Sequence, residues 1–505
     1  MLSRAGSRHV CYYAIRARIV TVLLVNPPSL SGPPGARESF IAGQKRRLTP
    51  QQYYSLPIEH LGLASIAAYA RAHDIEVTVV NGMVAGHASV EQTWQAITES
   101  AARTGPPRLI GFTNIDTFDE VSWLIERCRR EWDDTSIALG HTFATLNYRR
   151  ILDTWPSVDF VMLGEGEVSF TRLAQAVLGG GDLADVPGLA RRTSDGAVTT
   201  TAQTVVDLDD LPWAARDELP TVLREGFAAA VFTTRGCLYQ CTFCGTGALS
   251  DLLGRARYRA KSIGGVVDEM ERLHTDFGMD FVAVSDDLFL AKHPGMQERA
   301  RAFADEILRR RLRISFMFDA RVDSIYDLDL LAHLREAGLR RIFVGLETGS
   351  HEQLIQYRKR HVRSGEDPAR RINAVNDIGI EVIPGTIMFH PTVRPAELRQ
   401  TLRLIKATGY ETPYKLIDRI TAYAGTPLYH EYAAKGLLTQ DWPIGAWSFA
   451  DPHAEMLYER VRAFVRGGGD VGYAAAEEFF LTEVARWEAD QVTSELAHSG
   501  AEQDL

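Results

Sequence analysis

Three of the chain's five cysteines fall in one short stretch, RGCLYQCTFCGTG, as Cys237, Cys241 and Cys244. Thiols at Cys-x-x-x-Cys-x-x-Cys spacing can serve several chemistries. A disulfide framework needs an even count and an oxidising compartment, and this 505-residue chain is poor in cysteine and reads without a secretory leader. A structural zinc site needs four closed ligands, but the sequence has no second cysteine pair and no His-x-x-x-His run. Buried structural thiols would explain neither the clustering nor the neighbouring Gly236, Gly245 and Gly247. Those glycines leave the loop free to turn its amides and thiolates toward one object. An iron–sulfur cubane takes four thiolates. Held by three, it keeps one iron open to an exogenous ligand. The spacing favours that reading, with zinc or unligated thiols as the alternatives.

The motif resembles the signature of the radical S-adenosylmethionine (SAM) superfamily, and the resemblance implies a [4Fe-4S] cluster whose open iron takes the amino and carboxylate groups of SAM. Phe243 matches the family position that lies against the adenine. The same resemblance places Ser285, Asp286 and Asp287 near the methionine end of SAM, Arg321 toward its carboxylate, and Glu347 and Ser350 of GLETGS beside it. GTIMFHP and YAGTPLY resemble later segments near the adenine and the substrate. The chemistry is consistent: a zwitterionic sulfonium needs an arginine for its carboxylate and acceptors for its ammonium and ribose. Asp287 as a helix cap and Glu347 as a rim ion pair are the competing structural readings. His390 could act as acid or base toward a substrate or pack in its loop. Tyr423 reads as barrel packing or as a substrate contact, as does Tyr429.

Alternating strands and helices must position these residues. IVTVLLVNPP, IEVTVVNG, RLIGFTNI, TSIALGHT and VDFVMLGEGE read as buried parallel strands, separated by helical patterns. In HLGLASIAAYARAHD the apolar spacing lets Leu61, Ile66, Tyr69 and Ala70 share a face. Such units predict a doubly wound α/β sheet over residues 20–185, with ligands beyond the carboxyl ends of its strands. VLLVNPP, LGLASIAAYAR, IALGHTFATL and VDFVMLGEGEVSF resemble the cobalamin-binding domain that precedes many radical SAM enzymes. The resemblance implies a cobalamin site at the loops carrying Asn26, Thr113, Gly140, His141, Thr142, Gly164 and Glu165. Plain strand-end turns and a hydrogen-bonded loop histidine are the competing readings there. An Asp-x-His-x-x-Gly motif, which supplies a lower cobalt ligand elsewhere, is absent.

Residues 1–19 read as a ragged leader and 186–224 as a connector with a hairpin at Asp195-Gly196. From 225 to 430, six strand–helix units predict a partial (β/α)6 barrel. Its chemistry is expected at the strands' carboxyl ends, where the cysteines and acids fall. Residues 431–505 read as a helical region whose amphipathic helices end near Gln491, followed by a polar tail. There Trp442, Trp447, Phe449 and Trp487 read as core.

A formal net charge of -10 argues against a general grip on nucleic acid. No apolar run reaches the length of a membrane span. An oxygen-sensitive cluster suits a reduced cytoplasm. The resemblance implies a cobalamin-dependent radical SAM methyltransferase acting on an unactivated carbon, or on phosphorus, of a small molecule in specialised metabolism such as antibiotic biosynthesis, with a reducing partner such as flavodoxin or ferredoxin. Three alternatives stand beside it. One is an enzyme of the same architecture that deoxygenates, rearranges or cyclises without methyl transfer. Another is a tRNA methylthiotransferase, disfavoured because only Cys11 and Cys128 remain for a second triad. The last is a non-enzymatic binding or sensing protein.

Overall fold

The computed structural model describes residues 22–28, 59–84, 89–113, 118–225, 227–253, 258–359, 367–442, 444–467 and 471–501. The expected leader, Ser29 and the loop residues 114–117 lie outside them.

The first sheet grows from β-branched and leucine-rich runs with no polar face. β1 (Val22–Asn26), β2 (Val77–Asn81), β3 (Leu109–Thr113), β4 (Ser136–Gly140) and β5 (Phe160–Met162) stand in the order β2-β1-β3-β4-β5, all parallel. β3 is buried along its whole length, as a central parallel strand between two helical layers must be. One layer packs Val121, Leu124, Ile125 and Cys128 of the helix Phe118–Glu131 onto the sheet. The other packs Leu63, Ala67 and Ala70 of the helix Leu61–Ala72 and Phe170, Leu173 and Ala174 of the helix Gly166–Gly179. Of the four apolar residues expected to share a face, Ala70 lies in this core and Ile66 packs against it while also lining a cavity. Leu61 and Tyr69 pack instead on Leu208, Leu211 and Phe232.

The expected connector contributes structure of its own. β6 (Leu189–Arg192) and β7 (Val198–Thr200) form a hairpin around Gly196, whose φ is +85°, and β6 adds antiparallel to β5. The sheet therefore has seven strands and extends to Thr200. β5 is too short to shield the sheet edge, and the hairpin covers it.

The second sheet carries β8 (Ala229–Val231), β11 (Phe281–Val284), β12 (Ser315–Arg321), β13 (Leu339–Glu347) and β14 (Glu381–Thr386), parallel, in the order β14-β13-β12-β11-β8. A small antiparallel pair, β9 (Thr234–Arg235) and β10 (Arg259–Ala260), sits at its cysteine end. Strand alternation divides the sheet's two faces. Val282, Val284, Phe316, Phe318, Ala320, Ile342, Val344 and Leu346 enter the core beneath the helices. The residues between them, including Met317, Asp319, Arg321, Phe343 and Gly345, face the concave lumen.

The sixth unit differs from expectation. Pro413–Ile417 forms a 3-10 turn, and a single parallel bridge, Phe389 to Arg419, stands in the sixth strand's place. Pro384 lies in β14, the last full strand, where a missing backbone donor is tolerated. Beyond the bridge the chain turns into an antiparallel sheet of β15 (Ala422–Tyr423), β16 (Leu438–Gln440) and β17 (Ile444–Trp447). Trp447, Phe449 and Trp487 are core residues, as expected. Trp442 packs on the first unit, against Phe118 and Phe143. The last helix, Tyr473–Ala501, runs past Gln491 into the expected tail.

Candidate functional site

The cysteine loop leaves β8 and is pinned from below. Asp286 is buried, and its carboxylate accepts from Thr233 N at 2.6 Å, Thr233 Oγ1 at 2.5 Å and Thr234 N at 3.0 Å. The loop then turns at Gly236, whose φ of +84° suits glycine. Gly236 N donates to Asp287 Oδ2 at 3.1 Å and Thr246 Oγ1 donates to Asp287 Oδ1 at 2.8 Å, so Asp287 ties both ends of the loop. Gly245 begins the helix Gly245–Leu253, and a Cβ there would stand 2.9 Å from Thr142 Cγ2 of the first unit. The two units touch at the cysteines.

Cys237, Cys241 and Cys244 are free thiols, each partly buried. Burial pushes Cys237 up to about 11, with the neighbouring Cys244, Asp287 and Cys241 adding to the rise. Burial also raises Cys241, opposed by Lys359 and Arg321. Arg321 Nη1 lies 3.7 Å from Cys241 Sγ; its guanidinium stacks 3.8 Å over Tyr239, and its Nε donates to Asp323 at 3.0 Å. Among the described residues, no three His, Cys, Asp or Glu side chains gather closely enough to hold one metal ion.

Several expected site residues have other partners. Asp286 holds the loop: among the described residues its hydrogen bonds come from the Thr233 and Thr234 amides and the Thr233 hydroxyl. Ser350 caps the helix His351–Gln356, accepting from Gln353 N and donating to Glu397 Oε1 at 3.0 Å. His390 is buried with Nε2 3.7 Å from Glu397 Oε2. Burial alone would raise Glu397, but His390, Arg394 and Ser350 outweigh it and hold that carboxyl at about 2. His390 thus packs against a structural carboxylate and does not line the cavity described below. Nor does Tyr423, whose carbonyl closes the turn to Thr426. Glu347 takes a left-handed conformation, φ +67°, beside a register shift in β13, and its carboxylate pairs with Lys359. Lys359 also lies over the Phe243 ring, which meets Tyr357 edge to face at 5.2 Å. Lys359 belongs to no motif that the sequence reading singled out; only its spacing after GLETGS marks it.

A cavity of about 540 Å³ runs between the two units. Its first-unit wall is apolar, with Leu24, Ile66, Ala138, Met162 and Phe170, and it receives Thr113, Gly140, His141, Thr142, Gly164 and Glu165 from the expected strand-end loops. Its other wall carries Gly236, Thr246, Ser285 and Asp287. Asn26 is not part of the lining; its amide donates to Asn81 Oδ1 at 2.8 Å. Three buried atoms of the lining have no hydrogen-bond partner among the described residues: Thr113 Oγ1, His141 Nδ1 and Glu165 Oε2. His60 and His141 meet edge to face at 6.3 Å, and both are lowered to about 4, chiefly by burial. His60 Nδ1 accepts from Leu63 N at 3.1 Å, which fixes its neutral ring with the proton on Nε2. Ion pairs close the cavity's side. Arg235, just ahead of the cysteines, pairs with Glu167 and lies 3.5 Å from Glu165, which also pairs with Arg259. Glu167 ends one of the loops expected at the site, but its pairing with Arg235 joins segments that the sequence does not connect.

Two family models match the chain in the order of its two units: the B12 binding domain over residues 54–174 and the radical SAM superfamily over residues 231–405. The chain belongs to the radical SAM superfamily and carries a B12-binding domain ahead of the barrel. An "uncharacterized methyltransferase" of Pyrococcus horikoshii is 24% identical over 76% of this chain and 80% of its own length. An anaerobic magnesium-protoporphyrin IX monomethyl ester cyclase of Synechocystis sp. is 28% identical over 58% of this chain and 57% of its own. The solved structure of OxsB, a cobalamin-dependent S-adenosylmethionine radical enzyme with aqua-cobalamin and S-adenosylmethionine bound, superposes with a TM-score of 0.68 at 20% identity, covering 89% of this chain and 67% of that one. The likeness extends the shared fold over both units and the region after them. No helix among the described residues is long and apolar enough to cross a membrane.

Proposed function

We propose that this radical SAM enzyme binds a [4Fe-4S] cluster, SAM and cobalamin, and methylates an unactivated carbon or phosphorus of a small molecule in a cytoplasmic setting. One observation carries the reading. A single cavity joins the strand ends of the B12-binding domain to the flanks of the three-thiol loop, so a corrinoid and a cluster-bound nucleoside would share it.

The residues present fit both groups. Cys237, Cys241 and Cys244 would hold the cluster, with Arg321 beside Cys241 to meet a carboxylate. For the corrinoid, the apolar wall would accept the macrocycle. The unpaired oxygen of Glu165 wants an N–H donor, and His141 Nδ1 and Thr113 Oγ1 can each take either role; the amide side chains of cobalamin offer both donors and acceptors. When bound, the cluster with SAM supplies reductive cleavage of a sulfonium, and the corrinoid supplies a methyl carrier. Asp286 and Asp287 fix the loop that presents the thiols. The apolar wall, the neutral imidazoles and the ion-paired side of the cavity exclude water from the space between the two groups. A reduced flavodoxin or ferredoxin would supply the electrons.

The cyclase relative supports a second reading, in which the same architecture deoxygenates, rearranges or cyclises its substrate without methyl transfer. Anaerobic reconstitution with iron, sulfide and hydroxocobalamin, followed by gel filtration and turnover with dithionite and SAM, separates the two. Retained corrin absorbance with both 5′-deoxyadenosine and demethylated SAM released supports the methyltransferase. Deoxyadenosine alone, from protein that retains no corrin, supports the second reading. Protein without iron and sulfide refutes both.

A further inference from the structure

The barrel lumen holds a carboxylate that neither the cysteine loop nor any ion pair uses. Asp319 lies on β12 between Phe318 and Ala320, both of which enter the helical core, so its side chain points into the lumen. It remains open to that space, and it has no hydrogen bond or ion pair among the described residues. Surrounding protein, and then Asp286, push its carboxyl up to about 6.

Its neighbours form a row across the sheet. Asp319 pairs in register with Phe343, and Phe343 with Ile383. On the other side Ala283 pairs with Met317, which sets Ser285, two residues on, beside Asp319 just past the last paired rung. Ser285 is exposed and lines the interdomain cavity, so the row opens into it. Phe343 is 37% exposed, unusual for a phenylalanine inside a sheet layer. One rung nearer the cysteines stand Arg321, Gly345 and Gly385 in register. A Cβ on Gly385 would lie 2.5 Å from the Phe343 ring, so that glycine gives the ring room to lie in the lumen.

We propose that Asp319, Ser285 and Phe343 form the substrate-recognition subsite of this enzyme, and that it takes an amine or other N–H donor group attached to an apolar or aromatic body. The reasoning is chemical. A carboxylate that faces the lumen beside an aromatic ring favours a cationic or N–H donor partner, and the described residues provide none. An exposed aromatic face beside it attracts cations and buries hydrocarbon. The rise of roughly 3.3 Å per residue along a strand puts this row about 7 Å below Arg321, which touches Cys241. A group held there would stand beneath the thiol loop. The inference rests on the radical SAM reading above. SAM also carries an ammonium, so the test must separate the two sources.

The test uses anaerobically reconstituted full-length protein and three probes: phenethylamine, its acidic counterpart 3-phenylpropionate, and SAM. Saturation-transfer NMR and calorimetry are expected to show at least a tenfold preference for phenethylamine over 3-phenylpropionate. Asp319→Asn should erase that preference while SAM affinity stays within twofold. Phe343→Leu should weaken phenethylamine and keep the preference. Should Asp319→Asn fold poorly, Ser285→Ala gives a second arm and should lower the preference severalfold. No preference in the parent protein, a preference that survives Asp319→Asn, or an equal loss of SAM binding would overturn the proposal. Protein that shows the preference but yields no deoxyadenosine from SAM and dithionite would leave this subsite standing and remove the reading beneath it.

Discussion

His141 combines three features at one position. It holds φ at +84°, where a side chain costs on the order of 1–2 kcal/mol, its Nδ1 is buried without a partner, and it faces His60 across the cavity. Both rings are kept neutral, with their values lowered to about 4 from an ordinary 6.5. The sign follows from the unfolded chain, which takes up these protons first as pH falls. The stability is present above about pH 6.5 and is lost toward pH 4, by about 2–3 kcal/mol for one imidazole. The two are not additive, because His141 itself lowers His60. His141→Gly removes one titration and the backbone strain together. Urea denaturation of the metal-free protein should show the variant as stable as the parent or more so at pH 7, and less sensitive to acid between pH 6.5 and 4.5. A variant that loses stability at pH 7 would show instead that His141 is a packing residue.

At the scale of elements, the cysteine loop is only as fixed as the carboxylates beneath it. Asp286 follows β11 and reaches back 53 residues to hold Thr233, where β8 gives way to the loop. Asp286→Ala would leave two backbone N–H groups and a hydroxyl without partners, a loss of about 1–3 kcal/mol for each buried group. The thiols are untouched by that change. Reconstituted Asp286→Ala protein should therefore still take up iron, yet release it severalfold faster to a chelator, followed as bleaching of the cluster absorbance. Equal bleaching rates would remove Asp286 from the positioning of the loop. The glycine-flanked loop was legible in the sequence as a site because spacing is a local property. The hold of Asp286 on Thr233 and Thr234 was not legible, because acids at a strand end look alike until their partners are known.

Across the whole molecule, buried charge ties one unit to the other. Arg235 adjoins the cysteines, while Glu167 opens the helix Gly166–Gly179 of the B12-binding domain and also accepts from Ser65 at 2.6 Å. The pull of Arg235 more than offsets burial, so Glu167 lies below the usual carboxylate range. Arg216 makes a second tie, binding Glu59 and Glu269 at 2.7 Å or less. Arg235→Met would strand a buried carboxylate, at about 3–5 kcal/mol. Denaturant titration should show a lower midpoint for the single variant and recovery of most of it in Arg235→Met/Glu167→Met, where charge is removed from both sides. Independent units would give instead the same midpoint in parent and variants.

The sequence by itself determined the strand–helix alternation, the order of the two units and the triad of thiols. Apolar runs, helical spacing and cysteine intervals are set by residues close along the chain, so they can be read from it. The tertiary structure alone decided which partners the polar residues take within the fold. Glu347 went to Lys359, Ser350 to Glu397 and Asp286 to Thr233, while Asp319 and Arg235 lie inside motifs read for their neighbours, Arg321 and the cysteines. The addition of the Gly196 hairpin to the edge of the first sheet and the single bridge in place of a sixth strand were settled there too. The reason is physical: a side chain's role depends on its partner, and strand register and domain contact supply partners from segments distant in the chain.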